Sequence, residues 1–170
     1  MADSDRLLGD TGDAFPPPAT YALSAVVYAE RGDEILLLKR AEGTALAGQF
    51  FLPGGLVEPD ELPEAGARRE LAEEAGIEID GELELIGAYP MHVYGHDMLA
   101  LSYRGTVAEN SAVALSHEHS DVQWVKAADM RVLLIDDVID QIAAGDPRIV
   151  ELVRHIRTDL DRYLRRVGGA

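Results

Sequence analysis

The chain has 170 residues, 47% of them hydrophobic, enough for one sizeable core and too few for a second full domain. It contains no cysteine, which excludes disulfides, thiolate metal sites and cysteine nucleophiles and fits a reducing, cytoplasmic setting. A net charge of -16 argues against a partner held through duplex phosphates, because that affinity comes from clustered Lys and Arg displacing counterions; a small phosphorylated ligand stays open to such a chain if a cation bridges the two.

Residues 1–20 are polar, with Pro16, Pro17 and Pro18 in series. They read as a flexible arm and show neither the basic n-region nor the apolar h-region of a leader. No later run approaches the ~20 apolar residues of a membrane span. One folded domain is expected over residues 21–170. It opens with "YALSAVVYAE" and "EILLLKR", apolar and partly β-branched runs joined by the turn signal "RGD", hence a hairpin. "QFFLP" suggests a short strand, and an acidic helix follows from about Leu62 or Pro63 to the stop residue Gly76. "ELELIGAYP", "HDMLALSYRGTVA" and "DVQWVKA" supply three more strands, the first two turning at "YGHD". Two helices close the chain, at about 131–144 and 147–166. The second is announced by Asp146 and Pro147 as N-cap and N1, and carries the stripe Ile149, Leu152, Val153, Ile156, Leu160, Tyr163, Leu164. This order of strands and helices predicts an α/β fold, a mixed sheet with helices on both faces. The last helix either closes that fold or forms the seam of a homodimer.

The acidic helix carries the chemistry. Residues 54–77 hold seven carboxylates, and Glu70, Glu73 and Glu74 stand at i, i+3 and i+4, neighbours on one helical face. At about 4 Å and an effective dielectric near 20, two such charges repel by roughly 4 kcal/mol, which full exposure to water reduces to a few tenths. A solvated acidic face is the plain reading, yet such faces usually intersperse lysine, and the nearby cations here are Arg68 and Arg69. A divalent cation would relieve the repulsion, since carboxylate oxygens are hard ligands suited to magnesium or manganese.

Gly55, Glu61, Arg69, Glu70, Leu71, Glu73, Glu74, Gly76 and Ile77 fill every fixed position of the pattern G-x5-E-x7-R-E-U-x-E-E-x-G-U, with U aliphatic, and "FLPG" precedes it. The segment therefore resembles the box of the Nudix hydrolases. The resemblance covers about residues 21–145 and implies the α/β/α sandwich of that family and cleavage of a nucleoside diphosphate linked to another group, with Mg2+ or Mn2+ as cofactor. It further implies Glu73 and Glu74 as metal ligands, Glu70 as ligand or base, and a backbone carbonyl of Gly54 or Gly55 beside the ion, where no Cβ blocks approach. Arg69 would orient a neighbouring carboxylate. The base is Glu70 or Glu118, the latter in the polar loop "SHEHSDVQWV", whose His117 and His119 are further candidates for phosphate or base contact.

Lys39 and Arg40, at the end of "EILLLKR", are placed to meet substrate phosphates, and Phe50, Phe51 and Tyr94 to stack on a nucleobase. Tyr94 resembles a feature of relatives that cleave dinucleoside polyphosphates, whereas the proline associated with ADP-ribose hydrolysis would fall later than Pro90. Hydrolysis of a nucleotide sugar or of an oxidised or otherwise aberrant nucleoside triphosphate is equally open, and the expected partner is a small nucleoside diphosphate derivative rather than duplex nucleic acid or membrane. A non-catalytic nucleotide sensor on the same fold is the rival, but it need not keep the carboxylates, and all are kept. Isoprenoid diphosphate isomerisation on this fold leans on a cysteine that the chain lacks.

Overall fold

The computed structural model describes residues 19–44, 46–131 and 150–168. The expected arm, save its last two residues, lies outside them, as do most of the expected helix at 131–144 and the capping pair Asp146 and Pro147.

The predicted hairpin forms from β1 (Ala22–Arg31) and β2 (Glu34–Arg40), turning through Gly32. Alternation along a strand sends successive side chains to opposite faces, and the core divides accordingly. Val27, Ala29, Leu36 and Leu38 join one buried cluster with Ala67, Leu71 and Ala75 of the acidic helix α1 (Pro63–Ala75). Tyr28, Ile35 and Leu37 join a second with Leu160 and Tyr163 of the C-terminal helix, here α3 (Val150–Val167). The sheet is therefore sandwiched between α1 and α3, and Ile156, Leu160, Tyr163 and Leu164 of the α3 stripe pack within the chain. A short α2 (Ala127–Arg131) links the last strand to residues outside the described set.

The sheet is mixed. Strands β3 (Phe50–Phe51), β4 (Gly54–Leu56), β5 (Glu84–Val93), β6 (His96–Thr106) and β7 (His119–Lys126) complete it. Its order is β3-β2-β1-β6-β5, with β4 on β1 and β7 on β2; β1 runs parallel to β6 and every other pairing is antiparallel. The β5–β6 hairpin turns on Tyr94 and Gly95, both at positive φ (54° and 84°), the backbone that a two-residue turn needs to match strand twist.

One feature of this topology makes the site. β1 and β2 pair at Glu30↔Ile35 and Arg31↔Glu34, beside their turn, and then part. β2 goes on with β3 and β7, while β1 takes up β4 through Ser24↔Leu56, Ala25↔Gly55 and Val26↔Gly54. Strand β4, three residues long and invisible as a strand in the sequence, is the wedge in that split, and it carries the two glycines that lead into α1.

Candidate active site

The Val27 N–H donates to the Pro53 carbonyl at 2.9 Å, fixing the chain as it enters the split. Gly54 follows at φ 149°, and a Cβ there would lie 2.2 Å from the Ala25 carbonyl oxygen, so the position accepts glycine alone. A Cβ on Gly55 would fall 2.6 Å from a Glu70 carboxylate oxygen. The bare backbone of β4 and the acidic face of α1 thus stand in direct contact, α1 being held by burial of Ala67, Leu71 and Ala75 and ended by Gly76, whose N–H caps the Ala72 carbonyl.

Arg69 answers part of the charge problem. Its Nε and Nη2 donate to Glu61 at 3.0 and 3.1 Å, its Nη1 to Glu70 at 2.9 Å and to Glu73 at 3.1 Å, and Nη2 also reaches the Leu56 carbonyl at 3.0 Å. Those bonds, to Glu61 above all, hold the guanidinium pKa well above its usual value, and Arg69 in turn lowers that of Glu61, helped by the Glu58 N–H. Arg69 thus engages three carboxylates at once. Glu73 is the most exposed of them, its side chain 62% accessible.

Glu74 is the exception on this face. It is buried, and its Oε2 accepts the Gly54 N–H at 2.8 Å. Burial is the main force lifting its pKa to about 7; the Gly54 bond opposes the shift, and the charges of Glu70 and Glu118 add to it. His119 Nε2 lies 3.6 Å from Glu74 Oε1, too long for a hydrogen bond. That histidine is buried rather than displayed on a loop, and burial followed by the Arg40 charge lowers its pKa. His117 is exposed.

The loop before β7 is bound to the end of α1: Ala114 N–H donates to the Ala75 carbonyl at 2.8 Å and Ser116 N–H to that of Glu74 at 3.0 Å. This brings Glu118 within 3.4 Å of Arg40, and its carbonyl accepts the Ala41 N–H at 2.8 Å. Arg40, Phe51, Gly54, Glu74, Tyr94 and His119 share a cavity of about 260 Å³. A second, of about 630 Å³, adjoins it through Gly54 and Tyr94 and is walled by β1, β5, β6 and α3. Of the sequence candidates, Lys39, Phe50, Arg69, Glu70, Glu73, His117 and Glu118 line neither; the Lys39 ammonium sits 5.7 Å from the Phe50 ring centre. Adjacent strand residues point to opposite faces, and of this pair it is Arg40 that meets Glu118.

Among the described residues no three His, Asp or Glu side chains form a ready cage for a metal ion, because Arg69 engages Glu70 and Glu73. The donor set nevertheless fits a hard divalent ion. Glu74 is a buried acid under pressure from neighbouring negative charge, which a cation would relieve, and the glycine pair leaves β4 open where any side chain would fill the space beside Glu70.

Beside this geometry stands a match to the NUDIX domain model over residues 18–151. The chain belongs to the Nudix hydrolase family. Nudix hydrolases generally use divalent metal ions, in keeping with the hard-oxygen donor set. A MutT-like protein of Streptomyces ambofaciens is 34% identical over 110 residues, which is 65% of this chain and 66% of that protein, just under two thirds of its length. A putative 8-oxo-dGTP diphosphatase 2 of Mycobacterium tuberculosis is 33% identical over 111 residues, 57% of this chain and 75% of that one. The crystal structure of the MutT protein from Methanosarcina mazei Go1 superposes with a TM-score of 0.61 at 29% identity, covering 86% of this chain and 94% of that chain. The Nudix fold expected from the box is thus the fold observed.

Tyr28, Tyr89 and Asp159, which line the two cavities, were not singled out in the sequence. Asp159 did leave a signal: it stands three residues after Ile156 and beside Leu160, inside the apolar stripe of α3 where a carboxylate is out of place.

Proposed function

We propose that the chain, as one domain over residues 21–170, hydrolyses a phosphoanhydride bond in a nucleoside diphosphate linked to another group. The observation that carries this reading is the direct contact of Glu70 and Glu74 of the complete box with a glycine-built backbone cradle, beside two cavities that Gly54, Gly55 and Glu74 help to line. Glu70, Glu73 and Glu74, with a carbonyl of Gly54 or Gly55, would hold Mg2+ or Mn2+. When bound, that ion supplies charge neutralisation at the phosphates and a more acidic water. Arg69 holds Glu61, Glu70 and Glu73 in register until the ion competes for the last two. Arg40 lines the cavity and gives the phosphates a charge-assisted donor. Phe51 and Tyr94, on the same walls, offer aromatic faces to a base.

Glu70 is the better placed base. It sits on a rigid helix against Gly55 with its side chain 16% accessible, whereas Glu118 is 48% accessible and paired with Arg40. The similarity to a putative 8-oxo-dGTP diphosphatase puts modified nucleoside triphosphates first among substrates to try. A cytoplasmic setting agrees with the lack of cysteine, and the low count of basic residues, 15 against 31 acidic, agrees with a small-molecule partner.

The test is a phosphate-release screen on a panel of nucleotide derivatives with magnesium or manganese at neutral and alkaline pH. Turnover by the wild type, lowered at least about 100-fold in Glu73→Gln and Glu74→Gln chains of unchanged fold, is expected. No hydrolysis of any member, with nucleotide binding retained, would support the sensor reading instead.

A further inference from the structure

Helix α1 keeps a glycine where its own propensity favours alanine. Gly66 lies inside the helix between Ala65 and Ala67, and its N–H donates to the Leu62 carbonyl at 3.0 Å, so it belongs to the helical ladder and is no cap. Its φ is not positive, and glycine serves a helix worse than any residue but proline. The reason for it lies outside the backbone. Gly66 is buried, and a Cβ there would stand 2.9 Å from Glu61 Oε2 and 3.3 Å from Val57 Cγ2. The glycine is the floor on which the Glu61 carboxylate lies.

That carboxylate is held on its other sides as well. Its Oε1 accepts Arg69 Nε–H at 3.0 Å, and its Oε2 accepts Arg69 Nη2 at 3.1 Å and the Glu58 N–H at 3.0 Å. With 16% of the side chain accessible, its one way out is toward water, and taking it breaks the paired contact with Arg69. The fork of Arg69 carries the consequence further. Its Nε–Nη2 edge meets Glu61, while Nη1 alone reaches Glu70 and Glu73. A planar guanidinium pinned along one edge can give up its Nη1 partners without turning. Released from Glu61, it keeps the Leu56 carbonyl on that edge and is free to offer a second donor to Glu70 or Glu73, and two-donor pairs with carboxylates are the strong ones.

We propose that Gly66 is a positioning residue for the metal-dependent reaction: by leaving room for the Glu61 carboxylate it pins Arg69 along its Nε–Nη2 edge, so that a divalent cation has only the Nη1 contacts to displace from Glu70 and Glu73. This rests on the reading of the acidic face as the holder of the cation, and one arm of its test needs no metal.

The experiment compares the full chain with Gly66→Ala. Without metal, solvent exchange of the Arg69 Nε–H, followed by NMR, is expected to be at least about tenfold faster in the variant. Calorimetry with Mn2+ and no nucleotide is expected to show Kd weakened about tenfold, while the urea midpoint holds or rises because alanine is the better helix former. In a Glu61→Ala chain, which has no carboxylate to displace, adding Gly66→Ala should change the Mn2+ Kd less than about twofold. In turnover, the magnesium concentration for half-maximal rate should rise about tenfold, with a smaller fall in kcat at saturating metal. Unchanged exchange and affinity with a lowered urea midpoint would mean that the glycine merely spares Val57, and would overturn the proposal. So would an equal loss of Mn2+ affinity in the Glu61→Ala background, tighter Mn2+ binding, or a variant that does not fold, since displacement of one carboxylate is the whole cost allowed. A wild type that takes up no Mn2+ sinks the metal reading together with this proposal, whereas a wild type that binds Mn2+ no better than Gly66→Ala sinks the Gly66 assignment alone.

Discussion

Two adjacent glycines should respond to the same substitution in different ways. At Gly54 a methyl group meets the Ala25 carbonyl oxygen and the Val26 Cα, backbone atoms that cannot retreat. Gly54→Ala is therefore expected to cost about 1–3 kcal/mol of stability, read as a lower urea midpoint, and turnover with it. At Gly55 the methyl meets the far end of Glu70, which can swing aside. Gly55→Ala should leave the urea midpoint nearly unchanged and lower kcat, because the carboxylate that gives way is the one proposed to act. Arg69 gives a third test: Arg69→Lys keeps the charge but loses the fork that reaches Glu61, Glu70 and Glu73 together. About a tenfold loss in kcat/KM is expected, with less change in a thermal melt than Arg69→Ala produces.

At the scale of elements, α1 is a platform whose hold on the sheet is apolar while its opposite face is almost wholly charged. Leu71 is 1% exposed within the larger cluster, so Leu71→Ala should remove about 2–5 kcal/mol. A urea titration checks this, and partial activity should survive at low temperature because no charged group is touched. The loop before β7 is tied to the last turn of α1 through Ala114 and Ser116, which is how a residue more than forty positions from Glu74 in sequence comes to influence it. If Glu70 rather than Glu118 takes the proton, Glu70→Gln lowers kcat about 100-fold or more and Glu118→Gln lowers it less than about tenfold. These two elements show where sequence reading worked. The helix bounds were legible because Pro63 opens it and Gly76 ends it. Strand β4 was not, since three residues beginning with two glycines have no strand propensity and form a strand only because β1 has an edge free to pair.

Across the whole molecule, tyrosines buried on the α3 side couple packing to alkaline pH. Tyr28, Tyr89 and Tyr163 all have raised pKa values, Tyr89 reaching about 12, with burial the leading cause in each and nearby Asp159 or Glu30 adding to it. Their folded-state pKa values exceed the unfolded value near 10, so the native state holds more protons above that point. The stability they contribute is therefore complete below pH 10 and lost as pH rises through about 12. Urea midpoints should be flat from pH 8 to about 10 and fall steeply beyond. Tyr28→Phe should lower the neutral-pH midpoint, by leaving Asp159 Oδ2 without the Tyr28 bond, and make the alkaline fall shallower.

The sequence alone determined the acidic helix, its register, the hairpins and the family, because each depends on spacings of ten or so residues along one element. Only the tertiary structure decided what those residues face. That Glu74 is buried against Gly54 while Glu73 stays in water, and that Asp159 lines a cavity together with Glu74, 85 positions before it, follow from how β1 parts from β2 and from which side of the sheet α3 covers. Periodicity tells which residues share a face. Long-range pairing alone tells what the face meets, and the pKa and the exposure of a side chain are set by that meeting.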